Sequence, residues 1–408
     1  MTSTERSAAS SGASPHPPAD SPGAAVGERF ASMEGYRGLA ALAIVVFHVY
    51  QTARSGPDSR YPYDNAFANR VLLQFDGFVD LFFVLSAFLL SLPYLRSALA
   101  GEVAPTARAF LVRRAARVVP LYLVAVSLVW AFRNPELPGD WVDLVEHLTF
   151  TQVFDNKRIF YTIGPAWSLA VEVQFYLVLA VLGSLACRVC RRSPPRRRRW
   201  VLAAGLAAMV GASVAWKAVA WYVLRRPEDD YVLWFGLLAR LDVFALGMML
   251  ALVVVDGRLR FSGRTSLLVR ALSFLVVALG FVTRPQGAGP DVWFHLFVGV
   301  GFALLLASSV LGPADRWVRA LSSRGPALLG LVSYSLYLWH EPLLLALHDL
   351  GLVPPPESAL AFPVGVAVLI PVSLGVAWLS YWVLEYPASA LRTLVSRDGS
   401  PRQYYRGD

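Results

Sequence analysis

Arg37 and His48, a guanidinium and an imidazole eleven residues apart, lie in the apolar stretch Met33–Tyr50, MEGYRGLAALAIVVFHVY. At 100° per residue, eleven steps return to nearly the same side of an α-helix, about 16 Å further along its axis. The stretch is apolar enough for a bilayer, where an ionisable side chain is costly and by default marks a functional site. An imidazole there can take a proton from a nucleophile, and a fixed cation can hold or orient an anion. The plain alternative is a histidine that braces helices through a neighbouring carbonyl.

Four other stretches carry polar groups inside apolar sequence. DGFVDLFFVLSAFLL holds Asp76, Asp80 and Ser86; GPAWSLAVEVQFYL holds Trp167, Ser168 and Glu172; Arg240 and Asp242 stand two apart; SYSLYLWHEPLL holds Tyr334, Tyr337, His340 and Glu341. A carboxylate beside an imidazole fixes its tautomer and raises its basicity, so Asp80 and Glu172 are the expected partners of His48. The alternative for both is a hydrogen bond between helices. Arg240 and Asp242 are expected to pair with each other. His340 reads either as a second acid/base or as a packing residue. In VRRAARVVPLY, Arg113, Arg114 and Arg117 fall three and four residues apart on a helix. Planar guanidinium forks suit phosphate oxygens, although basic residues also flank spans for topological reasons. Cys187 and Cys190 form a C-x-x-C without neighbouring Cys or His to complete a metal site, and are expected to be reduced and structural.

The elements that must carry these groups are membrane helices. Of 408 residues, 56% are hydrophobic and only 16% charged, too greasy for a soluble domain. The apolar residues come in runs of about twenty, giving ten expected spans near 36–54, 76–97, 115–132, 165–187, 200–223, 231–255, 267–283, 292–312, 328–350 and 361–384. An amphipathic piece near 141–153 is too polar to span and is expected at the interface. With the N-terminus inside, 26 of the 37 Lys and Arg fall on the cytoplasmic side and nine on the outer, which predicts both termini in the cytoplasm. The net charge of +9 is spread between spans, so the expected partners are lipid headgroups and anionic substrates rather than nucleic acid. The reading is an all-α polytopic membrane protein: residues 1–32 a disordered tail, 33–385 the membrane domain, and 386–408 a basic cytoplasmic tail.

Taken together, EGYRGLAALAIVVFHVY, GFVDLFFVLSAFLL, RRAARVVPLY, GPAWSLAVEVQFYL and LVSYSLYLWHEPLL resemble, in that order, the acyltransferase-3 family of integral membrane O-acyltransferases. The resemblance implies transfer of an acyl group, acetyl or another short chain, from cytosolic acyl-CoA to a hydroxyl of a sugar, a glycan or a glycosylated metabolite such as a macrolide. It makes His48 the essential histidine and Arg37 its paired arginine. It also strengthens Glu172 and Asp80 as catalytic residues and Arg113, Arg114 and Arg117 as the acyl-CoA clamp, with Ser86, Trp167, Tyr337 and His340 as secondary candidates. No tightly bound cofactor or metal is expected, and the plasma membrane is the expected location. The sequence departs from the family at Ala87, Val173 and Glu341, where Gly, Glu and Trp are usual. The alternative reading is a proton-coupled exporter that uses the same His and carboxylate groups as a relay. It gives the arginines no task.

Overall fold

The structure, a computed structural model, describes residues 22–56, 60–63, 66–284 and 293–389. Among these residues it is helical throughout and has no strand; Ser55 and Arg60 form an isolated bridge. Ten helices form the body: α1 (Pro22–Thr52), α2 (Phe78–Ala100), α3 (Ala107–Arg133), α4 (Ala166–Arg192), α5 (Pro195–Ala218), α6 (Leu237–Asp256), α7 (Gly263–Thr283), α8 (Phe294–Val310), α9 (Ser333–Asp349) and α10 (Ala361–Ser380). Among the described residues, eight helical segments are long and apolar enough to cross a membrane, and α8 is apolar but shorter. The amphipathic piece expected at the interface is a short helix, Trp141–Leu148, with a 3-10 turn at Gln152–Phe154.

Local chemistry sets the helix ends. Pro195 opens α5 at a position where its missing N–H costs nothing. Gly101 and Gly257 close α2 and α6 in the left-handed region, with φ of 76° and 68°. The arginine-rich segment RRSPPRRRR, Arg191–Arg199, spans the end of α4 and the start of α5. Arg198 donates to the carbonyls of Cys190 and Leu99 at 3.0 and 3.1 Å, tying together the ends of α4 and α2. Cys187 and Cys190 are free and buried.

Two boundaries differ from the sequence reading. Helix α1 begins at Pro22, inside the stretch expected to be a disordered tail; residues 1–21 and 390–408 lie outside the described residues. The ninth expected span is broken at Val332 into a short helix, Arg324–Leu331, and α9. The break sits where the chain must touch α1. A Cβ on Gly330 would run into the Glu34 carbonyl, one on Gly35 into the Leu321 carbonyl, and one on Gly38 would come 2.9 Å from the Gly330 nitrogen. Backbone therefore meets backbone in the middle of α1, at residues 34–38, which fixes the height of Arg37. Gly330→Ala is expected to push these segments apart and lower stability by about 1–3 kcal/mol, the usual cost of overpacking. Thermal unfolding in detergent would measure it.

Helix α1 is the hub. Ala40, Ala41, Ile44, Val45 and Val49 are buried against neighbours, leaving a seam on which Arg37 and His48 sit half-buried.

Candidate active site

The His48 ring meets the His340 ring, with centroids 4.8 Å apart and His340 Nε2 3.1 Å from His48 Nδ1. Two carbonyls settle who donates. His340 Nδ1 lies 2.7 Å from the Tyr337 carbonyl, which can only accept, so Nδ1 carries the proton and Nε2 is bare. His48 Nδ1 lies 3.0 Å from the Ile44 carbonyl and therefore also carries its proton, shared between that carbonyl and His340 Nε2. What remains is a lone pair on His48 Nε2, with no hydrogen-bond partner among the described residues. The pair thus resembles a base with its orienting group, the second imidazole standing where a carboxylate often stands.

Neither expected carboxylate serves His48. Asp80 sits on a different face of α2, where His295 Nδ1 lies 2.7 Å from its Oδ2 and Arg240 3.9 Å from its Oδ1. Glu172 accepts from the Ser86 hydroxyl and lies beside Tyr176. Nor do Arg240 and Asp242 pair with each other. Two residues apart on a helix, their side chains diverge by about 200°. Asp242 instead takes Lys217 of α5 at 2.6 Å, while the Arg240 guanidinium lies over the rings of Trp167 and Phe235 at 5.5 and 5.4 Å. Trp167 therefore packs a cation rather than facing His48.

His295 carries no sequence signal, because a lone histidine at a span boundary has no periodicity to mark it. Lys217 carried a signal, since a cation inside an apolar helix requires an anion. Breaking the Lys217–Asp242 pair by Asp242→Leu alone strands a buried charge and is expected to cost about 3–5 kcal/mol. The double change Lys217→Met with Asp242→Leu should recover most of that in the same unfolding measurement.

The second constellation lies toward the N-terminal end of α1. Arg117 has Arg37 as its strongest electrostatic neighbour, with Arg114, Glu34 and Tyr176 around it. Among the described residues Arg37 makes a long contact with Glu34, 3.4 Å. Tyr176 links this group to Glu172, and through it to Ser86. Arg113 falls on the side of Tyr94. Three cations on α1 and α3, with the carboxylates of Glu34 and Glu172 near them, bring together guanidinium forks of the kind that suit phosphate oxygens.

At the other end of the site, the Tyr337 hydroxyl donates to the Pro165 carbonyl at 3.0 Å and lies 2.7 Å from Ser168 Oγ, joining α9 to the start of α4. The loop before α4 is held by Arg158, which bridges Asp140 and Asp155 at 3.0 and 2.8 Å. The Lys157 backbone N–H and Arg158 together hold the Asp155 carboxyl below its ordinary range. A depressed carboxylate stabilises the fold above its unfolded pKa and loses that contribution as pH falls through the folded one.

The acyltransferase-3 sequence pattern, described as an acyltransferase domain, matches residues 30–382, a range that contains both constellations. The chain belongs to the acyltransferase-3 family. Among curated relatives, this family member is 27% identical to a protein named as a membrane-bound transacylase of Komagataeibacter xylinus, the match covering 76% of this chain and 72% of that one. It is 27% identical to a protein named as a peptidoglycan O-acetyltransferase of Bacillus subtilis, over 91% of this chain and 56% of the relative. With an O-acetyltransferase of Staphylococcus aureus the identity is 25%, over 78% and 51%. The chain thus spans about half the length of these two acetyltransferases. No solved structure matches it.

Proposed function

We propose that this protein transfers a short acyl group, acetyl first among them, from acyl-CoA bound at the cytoplasmic face to a sugar hydroxyl, with His48 as general base. The observation that carries the reading is the His48–His340 pair. It leaves an unengaged lone pair on His48 Nε2, on the helix that carries Arg37 toward the basic cluster.

In this reading Arg114, Arg117 and Arg37 hold the phosphates of CoA, with Arg113 at the rim. Both termini lie in the cytoplasm, in the plasma membrane. The thioester reaches His48 along α1, about 16 Å away, on the order of an extended pantetheine arm. Ser86, Glu172 and Tyr176 stand beside the arginines, where they line the arm. His48 Nε2 takes the proton from the acceptor hydroxyl as its oxygen bonds to the thioester carbonyl carbon. The tetrahedral adduct collapses, the C–S bond breaks, and the thiolate leaves with the proton returned by His48. Direct attack by Nε2 to give an acyl-histidine is the covalent variant of the same geometry.

The acceptor is a hydroxyl on an envelope glycan or on a glycosylated metabolite. The relatives named for O-acetylation, one of them on peptidoglycan, support the glycan. The test uses the protein in nanodiscs with acetyl-CoA labelled in the acetyl group. A peptidoglycan-fragment preparation serves as acceptor in one arm and a glycosylated macrolide in the other. Thiol release with base-labile label in an acceptor is the expected result. Release of no thiol, together with proton-coupled movement of a solute, would favour the exporter instead.

A further inference from the structure

We infer that Glu341 and Tyr337 are positioning residues: they register α9 against the start of α4 and so hold the His340 imidazole against His48. The inference rests on the proposed base role of His48.

Residues 337, 340 and 341 are spaced to share one side of α9. The two that flank His340 are both fastened to Gly164 and Pro165, immediately before α4. Glu341 Oε2 accepts the Gly164 backbone N–H at 2.6 Å, and Tyr337 donates to the Pro165 carbonyl at 3.0 Å while contacting Ser168 Oγ at 2.7 Å. Ser168 Oγ lies 3.0 Å from the same Pro165 carbonyl, so the two hydroxyl protons are shared among these three contacts. Gly164 is seated so tightly that a Cβ would come 2.9 Å from the carboxylate oxygen that accepts its N–H.

The helix needs this outside hold at this point. Pro342 lies inside α9 and lacks an N–H, so the Leu338 carbonyl loses its normal partner and the ladder is interrupted beside His340. The His48–His340 contact is 3.1 Å long and depends on ring placement, so a shift of α9 by a fraction of an ångström changes it. Glu341 thus acts on the chemistry only through the imidazole next to it.

The test is a double-mutant cycle in the nanodisc assay. Glu341→Met is expected to lower kcat about tenfold and leave the KM for acetyl-CoA within twofold. Glu341→Gln, whose amide oxygen can still accept the Gly164 N–H, should restore most of the rate. In a His340→Ala background, Glu341→Met should cause no further loss, because the group it positions is gone. A purely structural role would reduce activity by the same factor in both backgrounds. Tyr337→Phe repeats the cycle from the other fastening should Glu341→Met not elute as a single folded species. Full activity in Glu341→Met, or losses that multiply with His340→Ala, would overturn the inference. His48→Ala is run alongside. If it is active, the base reading fails; if it is dead while Glu341→Met is fully active, only the latch fails.

Discussion

His48→Ala is expected to lower acyl transfer by about three orders of magnitude, within the 10²–10⁴ range that a general base supplies. The fold should survive, because the imidazole is half-buried and its only hydrogen-bond partners among the described residues are a helical carbonyl and the His340 ring. His48→Gln should be nearly as inactive, since an amide fills the space but cannot take a proton. His340→Ala should be less severe. It removes the acceptor that orients His48 but leaves the Ile44 carbonyl to hold the Nδ1 proton, so residual turnover above that of His48→Ala is expected. Thiol release and label transfer in nanodiscs, with a monodisperse elution profile as the folding control, measure all three variants.

The second large effect is expected at Arg117. A guanidinium bonded to phosphate contributes about 1.5–3 kcal/mol, so Arg117→Ala should raise the KM for acetyl-CoA at least tenfold and leave kcat at saturation much less affected. Arg117→Lys should fall between, since it keeps the charge and loses the fork. A thermal-shift measurement separates a phosphate ligand from a merely topological arginine. Arg117→Ala should lose the rise in Tm that CoA gives the parent protein. Arg114→Ala should behave alike. Arg113→Ala, on the side of Tyr94, should change KM far less.

The parts of the molecule governed by local rules were readable from the sequence. Runs of about twenty apolar residues located the helices, and a spacing of eleven placed Arg37 and His48 on one seam of α1. Clustered arginines with a shared helical face located the basic group, although not that Arg113 has Tyr94 as an electrostatic neighbour. What could not be read was who faces whom across helices. Asp80, Glu172 and His340 are all plausible partners of an imidazole at similar depth, and a period of 3.6 gives each a face but not a neighbour. The neighbour is set by backbone contacts such as Gly330 on Glu34 and Gly247 on Val84, which fix how helices rotate against one another. Those rotations turn Asp80 toward His295 and Arg240, Glu172 toward Ser86, and His340 toward His48. The break at Val332 escaped for the same reason, since apolar composition continues through it.

The claim on which the rest depends is that neutral His48 keeps its proton on Nδ1 and its lone pair on Nε2. Solid-state NMR of protein labelled with ¹⁵N-histidine in lipid reads this directly. The chain has six histidines, and the signal lost in His48→Ala assigns the one that matters. The expected result is a protonated Nδ1 and a bare, pyridine-like Nε2 at His48, with the Nδ1 signal moving in His340→Ala. A His48 protonated on Nε2, or indifferent to the loss of His340, would contradict the account.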